Sequence, residues 1–280
     1  MQRSFSFRLH SESGSQGINY EALKADPNLD IELTNFENQT IRTVVIKNWP
    51  DDNFLYQVFL RLNTGSVPLS PQELRHALHP GQFAYFVDKF STESVEIRQL
   101  LNITEPDFRM RDAEIVIRYF AFRNFLREYT GNLSPLLDYT TKIFNSTWSS
   151  RQSLIAQEAY DLTEAIQTTL AIFGRNACRK WNGKSYERPF NRAIFDVMVL
   201  HFDNDLVRRA TLGKEKILIS QFKSICENNV EFRASIEGTT KSTEAIYNRI
   251  KIWGAALNRV LNIFIEEPSY DNKGRIVLSR

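Results

Sequence analysis

The sequence predicts a mainly helical α+β chain, with a small strand-containing N-terminal part followed by a multi-helix domain. Three observations carry that prediction. Apolar residues alternate with polar ones, or cluster as β-branched runs, only near the N-terminus. From residue 82 onward apolar residues recur at helical spacing. Eleven glycines and nine prolines in 280 residues are too few for an all-β array of tight turns.

The elements follow in order. Residues 4–9, SFSFRL, alternate at Phe5, Phe7 and Leu9 and predict a half-buried strand, and the polar residues 11–17 predict a turn. Residues 41–47, IRTVVIK, bounded by Asn48, Trp49 and Pro50, predict a second strand. Asp51 and Asp52 precede Phe54, Leu55, Val58, Phe59 and Leu62, offsets that share one helix face with acidic residues at its positive end. Ser70, Pro71 and Glu73 predict a capping box with proline at the first helical position, and the helix ends at 79–81, HPG. The strongest helical run is 109–129, through Ile115, Ile117, Tyr119, Phe122, Phe125 and Leu126, stopped by Thr130-Gly131-Asn132. Further helices are expected over 134–144, 149–173, 191–202, 214–227 and 240–266, with a loop at 182–184. Pro268 closes the last helix, 271–274 form a turn, and 275–278 start a strand. A soft boundary near 90–106 divides the chain into 1–90 and 91–280.

Composition narrows the function classes. A 42% hydrophobic content supplies a sizeable core. Thirty-five basic against 33 acidic residues give +2 overall, so any nucleic-acid surface must come from local segregation of charge. Cys178 and Cys226 form no CxxC and the four histidines are scattered, so no zinc site assembles and both thiols are expected to be reduced. The N-terminus lacks the apolar core of a signal peptide, and no window reaches the ~20 apolar residues of a membrane span. A cytoplasmic protein with no membrane partner is therefore expected. There is no Walker-type glycine loop and no GxSxG.

The informative stretch is 54–78, helix, tight loop, helix. Arg61 and Asn63 cannot both follow the apolar stripe, so they face a surface or cleft at the helix end. Thr64 and Gly65 continue into a loop whose amides are open to an anion, and Gly65 permits a left-handed backbone. The second helix presents its N-terminus near Ser70, with Gln72, Glu73 and Arg75 on its first turns. Arginine, asparagine and exposed amides together suit phosphate. Helix capping by Asn-Thr-Gly and an Arg61–Glu73 ion pair is the plainer alternative. Arg109, Arg111 and Arg118, interleaved with Asp107, Asp112 and Glu114, are either a salt-bridged helix start or a nucleic-acid- or nucleotide-facing set. Arg179, Lys180 and Lys184, with Arg175, Arg188, Trp181 and Tyr186, offer phosphate contact with stacking, or a solvated loop. His76 and His79 have metal-ligand spacing but no further ligand nearby, which favours capping or surface roles. Arg249, Lys251, Trp253 and Arg259 are most simply a mixed surface and core edge.

The run FLRLNTGSVPLSPQELRHAL closely resembles the signature of the GmrSD restriction-endonuclease N-terminal family. DFRMRDAEIVIR at 107–118 is similar to the Arg-Met-x-Asp-x-Glu block of one branch, and Tyr129-Thr130-Gly131-Asn132 and 191–196, NRAIFD, add supporting similarity. The resemblance spans most of residues 1–265. It implies a ParB/sulfiredoxin-like nucleotidase domain, here partial and ending near residue 90, followed by helices. It also implies a role in modification-dependent, type IV-like DNA restriction and phage defence. In such systems nucleoside triphosphate hydrolysis with Mg²⁺ is coupled to an endonuclease, often an HNH domain on the same or a partner chain. DNA, a nucleotide and that nuclease are the implied partners. Of the family's Asp-Gly-x-Gln-Arg motif only Met1-Gln2-Arg3 match, placing Gln2 and Arg3 in the catalytic set and Arg61 and Asn63 on phosphate. The Asp-Gly is absent. The chain is then a fragment beginning inside the domain, which we favour, a product started at an internal Met, or a degenerate member that binds without turnover. No HNH residues occur here. The rival reading is a catalytically silent DNA-binding or scaffold module that recruits a nuclease.

Overall fold

A computed structural model describes residues 6–11, 14–40, 43, 45–51, 54, 58, 61, 68–238 and 240–278. The chain is mainly helical, and by internal packing it divides into residues 1–66 and 67–280. The helix Pro71–Leu78 thus belongs with the larger unit, whereas the sequence grouped it with residues 1–90.

In the smaller unit, β1 (Ser6–Ser11) pairs antiparallel with β2 (Gly14–Asn19), Ser6 opposite Asn19 and Ser11 opposite Gly14. Residues 14–17, expected in a turn, are therefore strand. GSQGIN has no apolar alternation to announce it, and backbone pairing to β1 makes the strand. Asn19 caps α1 (Tyr20–Ala25) by accepting from Ala22 N at 2.8 Å. After a 3-10 turn, α2 (Asp30–Glu37) returns, and the Tyr20 hydroxyl donates to Glu37 at 2.9 Å. The expected strand at 41–47 is not formed at Thr43 or at 45–47, and Val45 is exposed; Ile41, Arg42 and Val44 lie outside the described residues. A β-branched run needs a partner strand, and none pairs with it among the described residues. Phe54, Val58 and Arg61 are helical, and Asp51 accepts from Phe54 N at 2.8 Å as the acidic helix start predicts.

The larger unit contains α3 (Pro71–Leu78), α4 (Gln82–Glu93), α5 (Val95–Leu101), α6 (Arg111–Phe125), α7 (Leu133–Ser146), α8 (Trp148–Phe173), α9 (Arg192–Phe202), α10 (Asp205–Thr211), α11 (Glu215–Asn228), α12 (Val230–Glu237) and α13 (Thr243–Leu261). It ends in the two-stranded β3 (Ser269–Tyr270) and β4 (Ile276–Val277). The capping box of α3 is present: Ser70 Oγ accepts from Glu73 N at 3.1 Å, and Glu73 accepts from Ser70 N at 2.6 Å. At 90–106, where a boundary was expected, α4 and α5 instead bury Phe83, Val87, Ile97 and Leu100 in the core.

Gly81 lets α4 meet α7 closely. A Cβ there would lie 2.4 Å from Asn145 Cγ. Asn145 accepts from Phe83 N and Ala84 N at 3.0 and 3.2 Å, capping α4 from a neighbouring helix.

Two helices are central. Every α9 residue from Ala193 to Phe202 is buried, and α6 is buried from Asp112 to Phe122 except at Glu114. A helix buried all round lies inside the fold; α9 packs on α6, α8 and α13. Phe83, Phe120 and Phe144 fill one side of the core and Phe173, Phe222, Phe232 and Trp253 another. Helix α13 stops at Leu261, short of the expected 266, because Asn262 turns left-handed (φ +57°) and Asn258 then binds Ile265 through both side-chain atoms.

Candidate functional site

The central helices carry charge into the core. Arg118 on α6 points at Asp196 on α9: Nε donates to Oδ1 at 3.0 Å and Nη2 makes a short bond to Oδ2. Arg249 on α13 reaches the same Oδ2 only at 3.5 Å. Its Nη1 donates to Ser235 O at 3.2 Å and Thr240 O at 2.8 Å, and its Nε is buried without a hydrogen-bond partner. Arg249 is 1%, Asp196 2% and Arg118 7% exposed.

The two arginines share one carboxylate unequally. For Arg118 burial opposes the charge, but attraction and hydrogen bonding from Asp196 outweigh it and hold the guanidinium above its ordinary range. For Arg249 burial dominates; attraction to Asp196 offsets it only in part and Arg118 repels, so its proton affinity is pushed down to about 10. Desolvating such ions costs several kcal/mol each, comparable with what burying one or two phenylalanines contributes, roughly 1.5–3 kcal/mol apiece. Stability alone therefore gives little reason for two buried arginines around one aspartate.

A cavity of about 310 Å³ opens on this group. Arg118, Arg192, Lys241 and Arg249 line it, and no acidic side chain does among the described residues. Phe122, Tyr129, Leu133, Phe190 and Ile246 supply apolar wall. Asn191 caps α9, accepting from Ala193 N and Ile194 N at 2.9 and 3.1 Å, and donates to Ile236 O at 2.9 Å. Arg192 lies 3.1 Å from Glu114, and the Tyr129 hydroxyl donates to Lys241 O. Burial pushes the Tyr129 phenol up, so it stays a neutral donor. The arrangement can hold an anion. Asp196, occupied by Arg118 through both oxygens, is poorly placed as a base.

The residues singled out by sequence are distributed differently. Gln2, Arg3, Asn63, Thr64 and Gly65 lie outside the described residues; Arg61 is exposed. Gln72 and Arg75 are buried: Arg75 donates to Gln72 at 2.6 Å and Asp138 at 2.7 Å, docking α3 onto α7. Glu73 completes its capping box and faces Arg109 at 3.5 Å. Arg111 pairs with Asp107 at 2.5 Å. Arg179 donates to Ala177 O at 2.8 Å, and Lys180 pairs with Glu187 and Glu237 at 2.6 and 3.0 Å. Lys223 covers the Trp181 ring at 4.0 Å, and Lys184 is exposed. His76 meets Tyr85 edge-on and His79 ends α3. No group of His, Cys, Asp or Glu able to hold a metal ion occurs among the described residues.

Cys178 and Cys226 are free and buried, and burial pushes both thiols up, Cys226 to about 11. No described helix is long and apolar enough to cross a membrane.

The sequence reading places Arg249 at a mixed surface and core edge and not at a site. The signal was its place among Ile246, Ile250 and Trp253 on one face of α13, all buried. No family model, curated protein or solved structure matches the chain.

Proposed function

We propose that this chain is the nucleotide-binding component of a DNA restriction system coupled to an endonuclease, and that its helical unit binds phosphate in the Arg118–Arg249 cavity. One observation supports this most. The segments 107–118, Tyr129-Thr130-Gly131-Asn132 and 191–196, which carry the resemblance beyond the first motif, each send residues to this one cation-lined cavity: Arg118, Tyr129, and Asn191 with Arg192. Guanidinium groups in a part-buried site bind phosphate oxygens through charge-assisted hydrogen bonds. Arg109, Arg111 and Lys180 have carboxylate partners and do not line this cavity.

The test titrates the full chain with a nucleoside triphosphate in the presence of Mg²⁺. Saturable binding at one site is expected, and no binding would overturn the reading.

A further inference from the structure

We infer that the cavity between α6, α9 and α13 takes a terminal phosphate, the monoester end of a nucleotide or of a 5′-phosphorylated strand, and not the internal phosphodiester of a duplex. This rests on the phosphate reading above and narrows it. Depth is the first reason. Arg249 Nε has no partner, and its residue is 1% exposed. A duplex phosphodiester carries a nucleotide on both sides and meets a protein at its surface. A terminal phosphate has one ester link and can enter end-on.

Charge is the second reason. Four cations line the cavity, Arg118, Arg192, Lys241 and Arg249, and two carboxylates stand behind them, Asp196 and Glu114. Four minus two leaves two positive charges. A monoester dianion balances both, whereas a diester balances one. Shape is the third reason. Asn191, Arg192 and Ala193, at the start of α9, form one side of the cavity. Phe122, Tyr129, Leu133 and Phe190 wall space for the group that bears the phosphate.

The experiment titrates the full chain calorimetrically with adenosine monophosphate, adenosine, a single-stranded oligonucleotide with and without a 5′-phosphate, and a blunt duplex lacking terminal phosphates. Adenosine monophosphate and the phosphorylated strand are expected to saturate one site, and loss of the phosphate to weaken either by about tenfold or more. Tighter binding of the monophosphate identifies a free nucleotide as the source, and tighter binding of the strand identifies a strand end. Arg249→Lys keeps a charge but removes the Nε–H and the planar fork, and is expected to lose a similar factor. Lys241→Ala, at an exposed position, tests the site without disturbing the core and should weaken binding severalfold. If the unphosphorylated duplex binds as tightly as the phosphorylated strand, the inference fails while the phosphate reading stands; if neither variant alters binding, phosphate binds outside this cavity and both fail. If no phosphate-bearing probe binds, both fail.

Discussion

Asp196→Asn is expected to destabilise the protein by about 3–5 kcal/mol, the usual result of removing one member of a buried ion pair. The cost comes from what remains. Arg118 and Arg249, 7% and 1% exposed, would face each other with no carboxylate between them. For a unit of this size that corresponds to a melting point lower by roughly 10 °C. Phosphate should then return part of the loss, because an anion in the cavity replaces the missing charge. Binding stabilises the folded state by about 2.7 kcal/mol at a hundred times Kd. The variant should therefore gain more from phosphate than the parent does. Denaturant melts of both proteins with and without phosphate measure this, and equal gains would show that the anion does not enter beside the arginines.

Arg123→Met is expected to be equally severe and to serve as the contrast. Arg123 reaches Glu158 at 3.2 Å, Asp161 at 3.1 Å and Asp203 at 2.7 Å, and donates to the Tyr119 hydroxyl at 2.7 Å. Burial works against its charge, but Asp203, Tyr119, Glu158 and Asp161 together raise its hold on the proton. Without that cation, Glu158 and Asp203, both nearly buried, lose their shared counter-charge. A loss of about 3–5 kcal/mol follows. Added phosphate has no site in an acidic cluster, so it should bring no gain beyond that of the parent. A melt in which phosphate rescues Arg123→Met as well as Asp196→Asn would indicate a general salt effect.

Much of the helical unit was legible because local chemistry and burial agree there. Ser70, Pro71 and Glu73 mark the start of α3 through the very bonds that form, and the Asn132 and Asn191 caps bracket helices at the expected places. Strands were less legible. Residues 41–47 have β-branched content, but a strand exists only when paired; β2 pairs with almost no side-chain signal. The site was half legible. Arg118, Tyr129 and Arg192 lie in segments whose pattern stood out, yet nothing local says that segments so far apart in sequence adjoin one cavity. Arg249, with Lys251, Trp253 and Arg259, reads in sequence as a mixed surface and core edge, because arginine is usually exposed. Its neighbours at i−3, i+1 and i+4, all buried, place it inside. Gln72 and Arg75 erred the other way, polar residues on the face of α3 that docks on α7.

The most direct measurement of an anion bound at Arg249 is a crystal structure of the full chain soaked with tungstate, a tetrahedral dianion whose heavy atom locates it by anomalous scattering. Tungstate is expected in the cavity with an oxygen within hydrogen-bond distance of Arg249 Nε and a second near Arg118 or Arg192. Tungstate bound elsewhere on the protein, with none in the cavity, would contradict it.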